Sequence, residues 1–184
     1  HMIGAKVTGK TLGIIGFGRI GQAMASRGHF GFGMKIKIFS RSQVSAELLE
    51  RYNAEQFNSV ETLLRKSDFV SLHCPGGTSN RHLINASNLA QARPELVLIN
   101  TARGEVIDEV ALANALENKT IKAAGLDVFD GEPNINPNLM TAPNLVMLPH
   151  LGSATRETRE EMGFRALANC RAFFEGETPM DKVA

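Results

Sequence analysis

The sequence predicts an α/β fold, a doubly wound parallel sheet within a single domain, and three observations predict it. Strand-like and helix-like segments alternate along the chain, Glu95-Leu96-Val97-Leu98-Ile99-Asn100 is almost continuously apolar, and a glycine-rich turn joins the first strand to the first helix. Alternation of strand and helix implies right-handed crossovers between parallel strands. A continuous apolar run belongs in the middle of such a sheet, where helices cover both faces.

The elements follow in order. Thr11-Leu12-Gly13-Ile14-Ile15 is the first strand, and Gln22 to Arg27 begins the first helix. Lys35-Ile36-Lys37-Ile38-Phe39 alternates polar and apolar residues with the period of a strand. A helix from about Val44 to Tyr52 follows, with Ser45 as its N-cap, and another spans Ser59 to Lys66. Asp68-Phe69-Val70-Ser71-Leu72 is a strand, and the apolar run ending at Asn100 is the next. Asp108 caps a helix through Asn118 whose Val110, Leu112, Ala113 and Leu116 form a buried stripe. Ala123-Ala124-Gly125-Leu126 and Asn144-Leu145-Val146-Met147-Leu148 are further strands. A last helix runs from about Ala154 to Glu175, with Met162, Leu167, Ala168 and Phe173 expected in the core. The Pro-, Asn- and Gly-rich stretch from Asp130 to Pro143 reads as a long functional loop.

The turn itself is Gly16-Phe17-Gly18-Arg19-Ile20-Gly21. Strand, GxGxxG turn and helix together form a dinucleotide-binding context. Gly16 gives the tight turn, Gly18 lets a pyrophosphate reach the backbone, and Gly21 lets the helix approach the strand. The helix N-terminus then offers N–H groups and partial positive charge to the phosphates. The fold is therefore Rossmann-type.

Composition sets the outer limits. The 184 residues suffice for one well-buried domain, with 43% hydrophobic and 21% charged residues. A formal net charge of +1 gives no reason to expect nucleic acid or a membrane surface as partner. No apolar run reaches the ~20 residues of a membrane span. Cys74 and Cys170 match no metal spacing and read as free thiols in a reducing cytoplasm, so no metal is expected. His1-Met2 reads as a remnant of tag cleavage joined to an expression start.

Ligands of open α/β sheets bind beyond the carboxyl ends of the strands. Those ends carry Thr101-Ala102-Arg103-Gly104, then Asp127-Val128-Phe129-Asp130-Gly131-Glu132-Pro133, then Pro149-His150-Leu151-Gly152-Ser153-Ala154-Thr155. They offer a fixed cation, a carboxylate and an imidazole. An arginine fork suits a planar carboxylate, and histidine suits a proton transfer near neutral pH. A neighbouring carboxylate favours imidazolium.

In these motifs, from Lys10 to about Glu175, the chain resembles the nucleotide-binding domain of the D-isomer-specific 2-hydroxyacid dehydrogenases. The resemblance implies that Arg103 holds the substrate's carboxylate and carbonyl, that His150 is the acid/base, and that Glu132 orients and charges His150. It implies that Asp127 hydrogen-bonds the nicotinamide carboxamide, with Thr101, Ala102, Gly152 and Ser153 framing the ring beside Arg103 and His150. His73-Cys74-Pro75 resembles the family's loop over the adenosine. Gly76-Gly77-Thr78-Ser79-Asn80 departs from its pattern, with Asn80 in place of a common threonine.

The strand expected to carry the NAD-type acid ends in Phe39-Ser40-Arg41-Ser42, and Ser40 takes the acid's place. Arg41 and two hydroxyls suit a 2′-phosphate, so NADP(H) is expected over NAD. Relative to common members, one extra residue falls in His29 to Met34.

The sequence thus predicts residues 3–184 as the NAD(P)-binding domain of a two-domain oxidoreductase. Its substrate is a small 2-keto or 2-hydroxy acid, glyoxylate or hydroxypyruvate by resemblance, and its assembly a homodimer. A phosphoglycerate dehydrogenase and a dinucleotide-sensing corepressor of the same fold are the alternatives. The substrate domain falls outside this sequence.

Overall fold

The computed structural model describes residues 4–183, so His1-Met2 lies outside the described residues. The chain divides into two compact units, one ending at Pro149 and the other beginning at His150.

The first unit is a seven-stranded sheet in which every pairing is parallel. Its strands are β1 (Thr11–Ile15), β2 (Lys35–Phe39), β3 (Glu55–Phe57), β4 (Phe69–Leu72), β5 (Val97–Asn100), β6 (Ala123–Leu126) and β7 (Leu145–Met147). They lie in the order β3-β2-β1-β4-β5-β6-β7. The chain first winds from β1 outward to β3, then returns past β1 to β4 and winds the other way. The crevice over β1 and β4 is therefore the topological switch point, where such sheets bind ligands.

The alternation of side chains along β1 explains the core. Leu12 and Ile14 join a cluster with Ile36, Ile38 and Ala25. Ile15 joins the other cluster, with Leu63, Leu72, Leu98 and Leu112. A strand period of two residues sends these sets to opposite faces, so both faces are covered.

The helices of this unit are α1 (Arg19–Ser26), α2 (Ala46–Arg51), α3 (Val60–Arg65), α4 (Ala86–Leu89), α5 (Glu109–Glu117) and α6 (Pro137–Met140). The caps expected at Ser45 and Asp108 are in place, and Ser59 supplies another. The Ser45, Ser59 and Asp108 side chains accept from the N–H groups of Leu48, Thr62 and Ala111. A π-helical turn, Arg27–Gly31, extends α1. The stretch 130–143 is not wholly loop, because α6 interrupts it with Asn136 as cap.

Two burial expectations are corrected. Val110 is 46% exposed. It shares a helix face with Asn114 and Glu117, spaced four and seven residues on and both exposed. The buried stripe of α5 is instead Ala111, Leu112, Ala113, Ala115 and Leu116.

The second unit is α7 (Arg156–Phe174) and the segment after it. No residue of α7 is buried, and Met162, Leu167, Ala168 and Phe173 are exposed rather than core. Apolar residues are spread around this helix, so it has no stripe to bury. Asp181 folds back on it, paired with Arg165 and bonded to Asn169 at 2.6 Å. Among the described residues no helix is long and apolar enough to cross a membrane.

Candidate active site

The turn after β1 is built by its glycines in three different ways. Gly16 has φ of +90°, and a Cβ there would lie 2.6 Å from the Cys74 nitrogen in the loop after β4. Gly21 faces the Gly16 carbonyl so closely that a Cβ would overlap it. At Gly18, in contrast, a Cβ would meet nothing within 4 Å. Gly16 and Gly21 thus serve the turn, whereas Gly18 opens onto solvent. Gly18 is also the N-cap of α1 and brings no side chain to its first turn. The N–H groups of that turn have no intrahelical acceptors and carry the positive end of the dipole. This cradle fits a pyrophosphate.

Two cavities continue from it in opposite directions. One, of about 200 Å³, is lined by Gly16, Phe17, Gly18, Ser40, Arg41, Ser42, His73, Cys74, Pro75 and Asn80, among others. The second, of about 380 Å³, is lined by Gly18, Arg19, Ile20, His73, Cys74, Pro75, Gly76, Thr101, Ala102 and Arg103. They meet at Gly18 and His73-Cys74-Pro75. Nearly all the residues expected at the cofactor from this unit therefore lie along one groove. Gly21 sits beneath its turn, and Asp127 is buried at the end of β6.

Burial sets the chemistry of the shared floor. His73 is pushed down to about 4 by desolvation, so its imidazole is neutral at physiological pH. Its Nε2 lies 2.9 Å from the Ser71 hydroxyl. Cys74 is 9% exposed, and burial raises its thiol further than a backbone hydrogen bond and Arg41 lower it. It fills space as a thiol. Asn80, buried at 4% exposure, donates from Nδ2 to the Pro75 carbonyl at 2.8 Å. It thereby holds the loop as well as lining the groove.

Arg103 is exposed at the end of the second cavity, with Nη1 donating to the Ala102 carbonyl at 2.6 Å. Its backbone is fixed by Asn100, to which sequence reasoning gave no role beyond closing the strand. Asn100 Oδ1 accepts from Ala102 N–H at 3.0 Å and its Nδ2 donates to the Arg103 carbonyl at 2.9 Å. An asparagine closing an apolar strand before a turn is the signal that could have revealed it. Gly104, likewise given no role, lies against Phe129 and Asp130 so tightly that a Cβ would overlap their backbone. That approach sets the Arg103 turn beside the loop carrying Glu132. Glu132 Oε1 accepts from Phe129 N–H at 2.8 Å, and the side chain is exposed rather than part of either cavity.

A further network ties three loops together. Arg81 pairs with Asp130 at 2.7 Å and with Glu105 at 3.7 Å. Glu105 Oε1 accepts from Gly77 N–H at 2.6 Å. Buried Glu109 accepts from Asp130 N–H at 2.8 Å, and burial raises its carboxyl above the ordinary range.

His150, Gly152 and Ser153 belong to the second unit. His150 is exposed and has φ of +54°. Thr155 caps α7, its Oγ1 accepting from Thr158 N–H at 3.2 Å. Among the described residues no group of His, Cys, Asp and Glu is arranged to hold a metal ion.

Residues 1–152 match the family model described as D-isomer specific 2-hydroxyacid dehydrogenase, NAD binding domain. The chain is 48% identical over 181 residues to the glyoxylate reductase of Thermococcus litoralis, covering 98% of this chain and 54% of that protein. It is 46% identical over 181 residues to glyoxylate/hydroxypyruvate reductase B of Enterobacter agglomerans, covering 98% of this chain and 55% of the relative. The solved structure of a glyoxylate reductase from Paecilomyes thermophila superposes with a TM-score of 0.88 at 40% identity, over 96% of this chain and 53% of that one. The chain thus spans about half the length of the curated relatives it matches.

Proposed function

The chain belongs to the D-isomer specific 2-hydroxyacid dehydrogenases through their NAD-binding domain, and from that premise we propose that it is the cofactor half of an NADP(H)-preferring reductase of glyoxylate or hydroxypyruvate. The carrying observation is the groove that runs from Arg41, over the Gly18 cradle, to Arg103. It offers a dinucleotide an end for the adenosine, a cradle for the pyrophosphate and an end for the reacting ring.

Each role follows from the residue's chemistry. The first turn of α1 binds the pyrophosphate. Arg41, Ser40 and Ser42 line the adenosine end, where NAD-binding members would place an acid, and they suit a 2′-phosphate. The nicotinamide supplies the hydride when bound. Arg103 spends one N–H on the Ala102 carbonyl and has others for the 2-keto acid's carboxylate and carbonyl oxygen. His150 gives the proton to the carbonyl oxygen as hydride reaches the carbon, and Glu132 orients His150 and stabilises its charged form. Asp127 holds the carboxamide. A homodimer is the assembly this reading carries.

The test is the specificity of the complete protein. With glyoxylate or hydroxypyruvate, kcat/KM is expected to be higher for NADPH than for NADH. Arg41→Ala is expected to remove about 1.5–3 kcal/mol of that selectivity, the scale of hydrogen bonds to a charged group. Equal or better use of NADH by the unmodified protein would overturn the cofactor assignment.

A further inference from the structure

We propose that Ser79 is a second selectivity residue, which positions the Arg41 guanidinium at the adenosine end of the groove for a 2′-phosphate. The inference rests on the NADP(H) reading above and extends it to a loop distant in sequence.

Strands β2 and β4 lie on either side of β1. Arg41 stands in the turn after β2, and Ser79 in the 3₁₀ turn Thr78–Asn80 after β4. Arg41 Nη1 donates to Ser79 Oγ at 3.2 Å. The bond therefore joins the two loops that flank the end of β1, above the cavity expected to take the adenosine. Arg41 is exposed on a long side chain, so a partner that narrows its conformations prepares it for a ligand.

Ser79 is suited to this because its own loop is fixed. Asn80 Nδ2 holds the Pro75 carbonyl, Asn80 N–H bonds to the Gly77 carbonyl at 3.0 Å, and Glu105 holds Gly77 N–H. The two glycines make that last bond possible. Gly77 has φ of +95°, and a Cβ on Gly76 would overlap the Glu105 carboxylate.

The choice of hydroxyl also matters. Having accepted from Arg41, the neutral serine leaves the guanidinium its charge and its remaining N–H groups for a phosphate oxygen. A carboxylate at this position would pair with Arg41, cancel its charge and repel a 2′-phosphate. No carboxylate lines this cavity.

The test uses this chain in calorimetry, with adenosine 2′,5′-bisphosphate and 5′-AMP as probes. The ratio of their dissociation constants reads the 2′-phosphate alone. Ser79→Ala is expected to lower the preference for the bisphosphate about three- to tenfold while 5′-AMP binding stays level, and Ser79→Glu about 30-fold or more. In an Arg41→Ala background, Ser79→Ala is expected to cause no further loss, as a shared interaction requires. An unchanged ratio in Ser79→Ala, or an equal loss with and without Arg41, overturns the role of Ser79. If Arg41→Ala collapses the ratio in that event, the NADP(H) reading stands without Ser79. If Arg41→Ala leaves the ratio intact, both fail.

Discussion

Asn100 grips the turn that presents Arg103 from both sides. The amide, 1% exposed, accepts from Ala102 N–H and donates to the Arg103 carbonyl. The strand that ends in Asn100 is thereby coupled to the cation expected to bind substrate. Arg103 begins at a defined point, and only its side chain remains to be ordered.

Removing that amide strands a buried donor and a carbonyl. Asn100→Ala is expected to destabilise the chain by about 2–4 kcal/mol, from two unsatisfied groups at about 1–3 kcal/mol each. Urea unfolding of this chain measures it. In the complete protein, KM for the keto acid is expected to rise about tenfold, a loss of roughly 1.4 kcal/mol in positioning. Unaltered stability would show that the clamp is dispensable.

The glycines of the turn separate folding from binding. Gly16→Ala forces an unfavourable φ and a clash with Cys74 backbone, and is expected to lose about 3 kcal/mol or more of stability. Gly18→Ala puts a methyl group into open space, so its melting temperature is expected to hold within the effect of a surface substitution. Its affinity for NADPH is expected to fall at least about tenfold, because the methyl group occupies the path of the pyrophosphate. Thermal unfolding and calorimetry on the two variants check the contrast. Loss of stability at Gly18 equal to that at Gly16 would contradict it.

What the sequence made legible was local or periodic. The turn at Gly16 to Gly21 and the caps at Ser45 and Asp108 each act within a few residues, and period-two alternation marked β2. The three-residue β3 was missed because Glu55-Gln56-Phe57 is too short to show a period. Val110 was misjudged because apolar identity was allowed to outweigh its helical phase. The apolar residues of α7 were misjudged for a related reason, since burial needs a stripe and a surface to receive it. Within the site, the groove-lining residues were legible from strand ends. The bonds that hold them were not, because Gly77–Glu105 and Arg41–Ser79 join positions 28 and 38 residues apart.

Acid is expected to weaken the first unit through His73. Its pKa in the folded chain is lowered from 6.5 to about 4 by burial. Between these values the unfolded chain binds the proton more readily than the folded one, so stability falls as pH falls. Above about 6.5 the contribution is fully present; through about 4 it is lost. The partial exposure of the ring reduces the effect to the order of 2 kcal/mol. Urea midpoints at pH 7 and pH 5 measure it, and His73→Gln is expected to flatten the difference. A slope identical in that variant would assign the acid sensitivity elsewhere.

Glu132→Gln isolates a charge from a scaffold. Glu132 Oε1 accepts from Phe129 N–H, and the glutamine carbonyl can accept the same bond, so the loop that Gly104 abuts keeps its anchor. What the substitution removes is the negative charge proposed to assist His150. With that charge gone, kcat for keto-acid reduction by the complete protein is expected to fall about tenfold. His150→Ala removes the proton donor itself and is expected to lower kcat by about 10²-fold or more. Binding of NADPH to this chain is expected to survive both changes, because the groove from Arg41 to Arg103 contains neither residue. An unchanged kcat in Glu132→Gln, with the loop intact, would show that Glu132 holds the backbone of its own loop and does not assist the acid.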